Sequence, residues 1–432
     1  ITTDGAFTFA TALRDGAAYV VTVFPQPVGM ACPVIGGTGT IAAADVTAVA
    51  VDCVAVTTAL DPTFGPGGVG FATFDAGSSG TDSGNEMTFD GSGLILVAGH
   101  SFNAATGALE MALWRVNTNG TLDGGFGSGG LVRHPGETIT GTFAPEVVGS
   151  SVQVDGSGRI VVAGYDIAST GVWGVAVWRF TSNGTPDASF GNGGLARLTN
   201  PQAGGVGLAI DGNGRPVVSG FSWNGFDWDA TVWRFTTDGI PDSTFNGIGY
   251  ASQNSSAGTG QATGEDIGVG VSIDGAGRIV MAGYLSNAAG NQDMTVWRYT
   301  SAGVLDASFN GTGIFRHDNA AGGNGNDVGR SVAFDGTGRI LVVGWSPSTA
   351  GGDDLAIWRI TAGGALDASF NGQDFTTQNG AAGGNGVDTG RDIVLDGAGK
   401  IVVTGESTNA NGDLDLVIWR YTTDGIPDVT FN

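Results

Sequence analysis

The stretch Val328-Gly329-Arg330-Ser331-Val332-Ala333-Phe334-Asp335-Gly336-Thr337-Gly338-Arg339-Ile340-Leu341-Val342-Val343-Gly344 decides the fold. Val328 to Phe334 is short and compatible with a β-strand. Asp335-Gly336-Thr337-Gly338 is a turn of the kind that closes a hairpin. Arg339 to Trp345 is apolar and β-branched, a second strand. Pro347 to Asp353 then reads as a polar loop, and Leu355 to Thr361 as a third strand holding Trp358-Arg359. Gly363-Gly364 turns the chain, and Phe370 to Phe375 leads into a fourth strand.

This unit recurs. Trp-Arg pairs stand at Trp114, Trp178, Trp233, Trp297, Trp358 and Trp419, at spacings of 64, 55, 64, 61 and 61 residues. An Asp-Gly turn precedes each pair, at Asp90, Asp155, Asp211, Asp274, Asp335 and Asp396. Four antiparallel strands in such a unit, repeated from Leu60 onward, are the blades of a β-propeller. Helical periodicity is absent, a β-helix needs shorter rungs, and two sandwiches would not share one period. The expected fold is all-β: a six-bladed propeller over 58–432, preceded by a small, incomplete immunoglobulin-like sandwich over 1–57. The recurring Trp and Phe fill the wedges between blades. The Arg beside each Trp is expected to pair with the Asp of a Leu-Asp-x-x-Phe element. Those elements number seven, ending in Phe64, Phe126, Phe190, Phe245, Phe309, Phe370 and Phe431. The first, Leu60 to Gly68, is expected to supply the outer strand of the sixth blade. That leaves Asp428 to Asn432 to cap the ring, to mark where the chain once continued, or to contact a neighbour.

Glycine is 79 of 432 residues, against a usual ~7%, and belongs to the turns. The chain carries 17 basic and 41 acidic residues, a net charge of −24. That field repels nucleic acid and anionic membranes, and no apolar run is long enough to insert in a bilayer. Cys32 and Cys53, both before the repeats, are expected to form a disulfide in an oxidising compartment. The chain opens on Ile1 without a Met, as a mature or trimmed secreted product would. The expected location is extracellular or the cell surface.

The units resemble the delta-60 repeat family of large secreted bacterial proteins. The carrying motifs are Asp155 to Gly164 (Asp-Gly-x-Gly-Arg-Ile-Val-Val-x-Gly), the Val-Trp-Arg-Phe/Tyr strand and Leu/Pro-Asp-x-x-Phe, over residues 60–432. The resemblance implies the propeller and no particular activity. Residues 5–10, 16–23 and 44–53 resemble the immunoglobulin-like modules of bacterial surface proteins, without the strands that usually come first. Trimming, a smaller domain, or a strand donated by another subunit would each account for the gap. The last would build a head-to-tail homopolymer.

Two loops of each blade carry acids. One holds Asp82, Glu146, Asp266, Asp327 and Asp388; four of these stand eight residues before the Asp-Gly turn and Glu146 nine. The other holds Glu110, Asp229, Asp293, Asp354 and Asp415, each four before Trp. The third unit lacks the first acid, having Gly204-Gly205-Val206-Gly207, and the second unit lacks the second, having Gly174. Carboxylates ringed on glycine-rich loops suit Ca²⁺. Gly322 to Asp327 and Gly383 to Asp388 also resemble part of the calcium-binding nonapeptide repeat. The alternative is that these residues make turns and cap backbone amides.

His100, His134 and His317 have no metal-ligand spacing, and no nucleophile elbow stands on a strand-to-helix turn. The chain is therefore expected not to be an enzyme. The leading expectation is a structural subunit of an extracellular filament, stabilised by calcium and joined by strand donation. The alternative is a glycan- or partner-binding module using Trp223, Phe226 and Trp228. A polysaccharide-active enzyme comes third, with Glu406 as the one acid out of pattern.

Overall fold

The computed structural model describes residues 13–21, 30–31, 34–35, 38–42, 46, 49–51, 54–55, 61, 63–65, 71–76, 80–135, 146–199, 201–254 and 264–431. The chain divides into two units, Ile1–Leu60 with Pro427–Asn432, and Asp61–Ile426. In the first, short antiparallel pairs join Ala18–Val20 to Thr38–Thr40, Met30–Ala31 to Val54–Ala55, and Val34–Ile35 to Ala50–Val51. Cys32 and Cys53 lie outside the described residues, as does most of the expected sandwich.

The second unit is a β-propeller array with no helix among the described residues. Its inner strands are Asp82–Phe89, Glu146–Val154, Ala203–Ile210, Ile267–Ile273, Val328–Phe334 and Gly383–Leu395, which open blades 1 to 6. Blade 5 shows the pattern: Val328–Phe334 pairs with Ile340–Pro347, that with Asp353–Ile360, and that with Phe375–Gln378. These strands fall within a few residues of the sequence expectation. Blades 1 to 5 each have four strands. Blade 6 has three among the described residues.

Why the units repeat so closely is visible in their hydrogen bonds. Asp335 Oδ1 accepts from the N–H groups of Thr337 and Arg339, which closes the Asp-Gly turn, and Oδ2 accepts from Arg339 Nε at 2.6 Å. The second strand of each blade has glycine as its fifth residue because the inner strand bulges opposite it. The register slips between Gly329 and Ser331, and a Cβ on Gly344 would lie 1.8 Å from the Val328 carbonyl oxygen.

The Trp-Arg pair fastens each blade to the next. Arg298 Nε donates to Asp306 at 2.9 Å, its guanidinium covers the Phe309 ring at 4.6 Å, and Nη1 reaches the Ala362 carbonyl of blade 5. Arg115, Arg179, Arg234 and Arg359 repeat the arrangement on Phe126, Phe190, Phe245 and Phe370. The expected Arg–Asp pairing is thus present in all five. Between the blades lies a dry layer: Leu341, Val343, Leu355, Ile357 and Phe370 of blade 5 meet Ile393, Ile401, Val403, Trp419 and Tyr421 of blade 6. Burial of this kind contributes roughly 25 cal/mol per Å² of apolar surface.

A backbone bond repeats at every seam. Gly127 N–H donates to Asn183 O, Gly191 to Asp238, Asn246 to Ala302, Asn310 to Gly363 and Asn371 to Asp424. Gly65 N–H donates in the same way to Asn119 O of blade 1. The first Asp-x-x-Phe element therefore docks where a preceding blade would. Of Leu60 to Gly68, expected to supply the outer strand of the sixth blade, residues 60, 62 and 66–68 lie outside the described residues. Leu416 and Ile418 of blade 6 are 78% and 49% exposed, although their counterparts Leu355 and Ile357 are fully buried.

Candidate functional site at the channel mouth

Inner strands of a propeller line its axis. Here they run close: a Cβ on Gly207 would lie 2.5 Å from Val269 O, and one on Gly270 2.9 Å from Arg330 O. Glu86 follows the bulge of blade 1 and Asp392 that of blade 6; Ser151, Gly207, Gly270 and Ser331 occupy the same place in the others. Asp392 accepts from the Ser331 hydroxyl at 2.6 Å. Burial pushes the Glu86 carboxyl up to about 7, and the Asp392 charge adds to the shift against the Ser151 hydroxyl. Two carboxylates thus stand near one another where the other four blades are neutral.

The rim above is set by the residue after each second-strand glycine: His100, Tyr165, Phe221, Tyr284, Trp345 and Glu406. On blades 2 and 3 the rings run together. Tyr165 stacks on Trp173 at 5.1 Å; Trp173 meets Phe221 at 5.8 Å and Trp228 at 6.1 Å; Phe221 meets Trp228 at 5.0 Å, and Trp223 meets Trp228 at 5.2 Å. None of the five is fully buried. Phe226, the third aromatic singled out in the sequence, is 86% exposed at the tip of the Asn224–Asp227 turn and takes no part in these ring contacts. Tyr165, Trp173 and Phe221 were not marked in the sequence. Their signal lies in aligning the repeats, since Tyr165 and Phe221 each follow a second-strand glycine and Trp173 opens a third strand.

On blades 4 to 6 the same position holds Tyr284, Trp345 and Glu406. The Arg330 guanidinium lies over the Trp345 ring at 5.5 Å, beside Tyr284 and Arg391. Arg391 pairs with Glu406 at 3.1 Å. Glu406, the acid out of pattern, thereby sits in an ion pair at the rim. His100 is held below its usual pKa by burial, opposed by Glu146 and Asp82.

The loop acids serve the loops. Asp82 accepts from Ala76 N–H, Asp266 from Ser286 N–H, Asp327 from Asn319 and Ala320 N–H, and Asp388 from Gly380 and Ala381 N–H. In the second ring, Glu110 accepts from Asn103, Asp229 from Asn224, Asp293 from Asn287 and Arg316, Asp354 from Asn379, and Asp415 from Asn409. The rings meet across seams: Asp229 is pushed up to about 6 by burial, with Asp227 and Asp266 adding. Blade 2 shows what replaces a missing acid. Arg197 pairs with Asp166, and a Cβ on Gly174 would lie 2.5 Å from Asp166 Oδ1. Glu146 begins the inner strand of blade 2 and bridges to Leu109. Among the described residues no three acidic, His or Cys side chains come together as a metal cluster. Two of the histidines pack: His134 lies on Trp178 at 5.9 Å, and His317 Nδ1 accepts from Trp358 Nε1 at 3.2 Å.

No curated protein matches the sequence. Solved structures share its fold at low identity. A protein of unknown function from Dyadobacter fermentans is 12% identical, covering 78% of this chain and 93% of its own, with a TM-score of 0.43. The polysaccharide lyase Uly1 is 11% identical over 83% and 82%, TM-score 0.43. A gluconolactonase from Xanthomonas campestris is 13% identical over 79% and 95%, TM-score 0.32. These likenesses are of fold alone. They still correct one expectation, that the chain is not an enzyme: proteins of similar fold include enzymes, so a lack of familiar catalytic motifs does not exclude catalysis. Residues 92–126, 147–190, 277–309, 336–370 and 399–431 match the domain of unknown function DUF5122, a β-propeller. Each matched stretch runs through the Trp-Arg strand to the Phe of the Asp-x-x-Phe element described above, so five of the six repeats match the DUF5122 β-propeller family.

Proposed function

We propose that this is a secreted saccharide-binding propeller, with its ligand seated at the channel mouth. The observation that carries the reading is the run of five rings from Tyr165 to Trp223, spanning blades 2 and 3 and not sealed in the core. A packing role would bury these rings between blades, as it does Trp178 and Trp233. Aromatic faces at a rim offer the C–H face of a sugar ring a flat partner, and the polar groups alongside fix its orientation. Trp173→Ala with Trp228→Ala is expected to weaken binding on a glycan array by about tenfold or more while the melting temperature of the array of blades is kept. Binding that survives the double substitution would sink this assignment.

One observation favours a second reading, the calcium-stabilised filament subunit. Among the described residues, strand Leu414–Tyr421 has a partner on one side only, and an open edge of this kind accepts a strand from another copy. Its signature would be fibres in electron micrographs that loosen, with a lower melting temperature, on adding EDTA. Dispersed particles in both conditions would remove it.

A further inference from the structure

Arg330 differs from the other arginines of the blades. Arg115, Arg159, Arg179, Arg215, Arg298 and Arg359 each contact a carboxylate of a blade motif. Arg330 is half-buried on the bulge of blade 5, with an aromatic ring rather than a carboxylate against its guanidinium. Arg391 holds the same bulge position on blade 6, and the residues next to the two arginines, Ser331 and Asp392, are hydrogen-bonded across the seam at 2.6 Å. Burial and Arg391 both disfavour its charge, with Tyr284 and Glu406 acting the other way. Arg391 is paired with Glu406, which leaves Arg330 as the guanidinium whose contact is a ring and not a carboxylate, and a half-buried cation of that kind is costly unless something negative completes it.

We infer that Arg330 and Arg391 form an oxyanion site at the channel mouth, which takes a uronate carboxylate or a sulfate ester of an acidic saccharide. The inference rests on the saccharide-binding reading and names its substrate class. Arg330 presents a planar fork already oriented by Trp345, which suits the two oxygens of a carboxylate. Arg391 is close to half exposed and held by Glu406 at 3.1 Å, so it can lean toward a bound anion without losing its partner. Tyr165 and Phe221 of the aromatic run hold the same blade position as Trp345, the ring under Arg330, so a saccharide lying across these blades would meet rings for its sugar face and a guanidinium for its acidic substituent.

The test compares three probes by calorimetry: an oligogalacturonate, the same oligomer with its carboxyls reduced, and a sulfated carrageenan oligosaccharide. The acidic oligomer should bind about tenfold or more tightly than its reduced form, the scale of one charge-assisted hydrogen bond. Arg330→Gln should abolish that preference, as should Arg391→Gln, an exposed change that spares the core. Binding of the sulfated probe alone would keep the site and make its ligand a sulfate. Equal binding of the acidic and reduced oligomers, or a preference untouched by both substitutions, would overturn the oxyanion site while leaving saccharide binding standing. If all three probes fail and the glycan array is blank too, both fall together.

Discussion

Trp358→Ala should destabilise the propeller by about 3–5 kcal/mol, the usual cost of emptying a fully buried aromatic site. The ring is 0% exposed and packs in the seam between blades 4 and 5, with Val342, Ala356 and Ile360 of its own blade and Phe309 of blade 4. Its Nε1–H also donates to His317, an outer-strand residue of blade 4. The neighbouring Arg359→Ala should cost about as much for a different reason. Its guanidinium, equally inaccessible, donates to Asp367, Ser369 and the Thr423 carbonyl of blade 6. Breaking a buried pair typically costs about 3–5 kcal/mol, and the lower end is expected here because Asp367 keeps Arg339 at 3.1 Å. Arg359→Lys should rescue little, since one ammonium cannot reach all three acceptors. Urea unfolding of the three variants checks this. Midpoints within error of the wild type would show that the Trp-Arg pair does not hold the seam.

The second large effect is a dependence of stability on pH that runs opposite to ordinary acid denaturation. Glu86 is raised from its unfolded value of 4.5 to about 7, and Asp229 and Asp327 from 3.8 to about 6, each chiefly by burial. A carboxyl raised in the folded state binds its proton more tightly there. Its penalty is absent below the unfolded pKa and grows as pH rises toward the folded one. The melting temperature should therefore rise on acidification from pH 8 to about pH 5. Below about pH 4 the trend should reverse, because Asp187 and Asp306 are held low, each chiefly by a serine hydroxyl, against burial and with an arginine adding. Glu86→Gln should stabilise by on the order of 2 kcal/mol at pH 8, allowing for its partial exposure to the channel, and by nearly nothing at pH 4.5. A variant that gains equally at both values would place the effect outside the titration of Glu86.

The repeats were legible because they follow from backbone needs. Asp335 must accept from its own turn, Gly344 must clear a bulged carbonyl, and Arg298 must reach both Asp306 and the next blade. Each need fixes a residue type at a fixed spacing, so six copies make a visible period. The mouth was only half legible. Trp223 and Trp228 stood out as a local cluster, but Tyr165, Trp173 and Phe221 come from two blades and meet only once the array is folded. Arg330 and Glu86 were missed for a related reason. Each sits at a bulge that shifts the strand register by one residue, and the sequence pattern of a short strand does not mark that slip. The loop acids were found as a pattern, yet their spacing alone does not distinguish a cation ligand from a cap on backbone amides. The hydrogen bonds of Asp327 and Asp388 follow the capping pattern.

The seat of a bound saccharide is the property to measure. The most direct measurement is a crystal structure with the best ligand of the glycan array. It should place a sugar ring against Trp173 and Trp228 at the channel mouth, with any acidic substituent directed toward Arg330. A sugar bound on another surface, with those rings bare, would contradict the assignment of the mouth as the binding site.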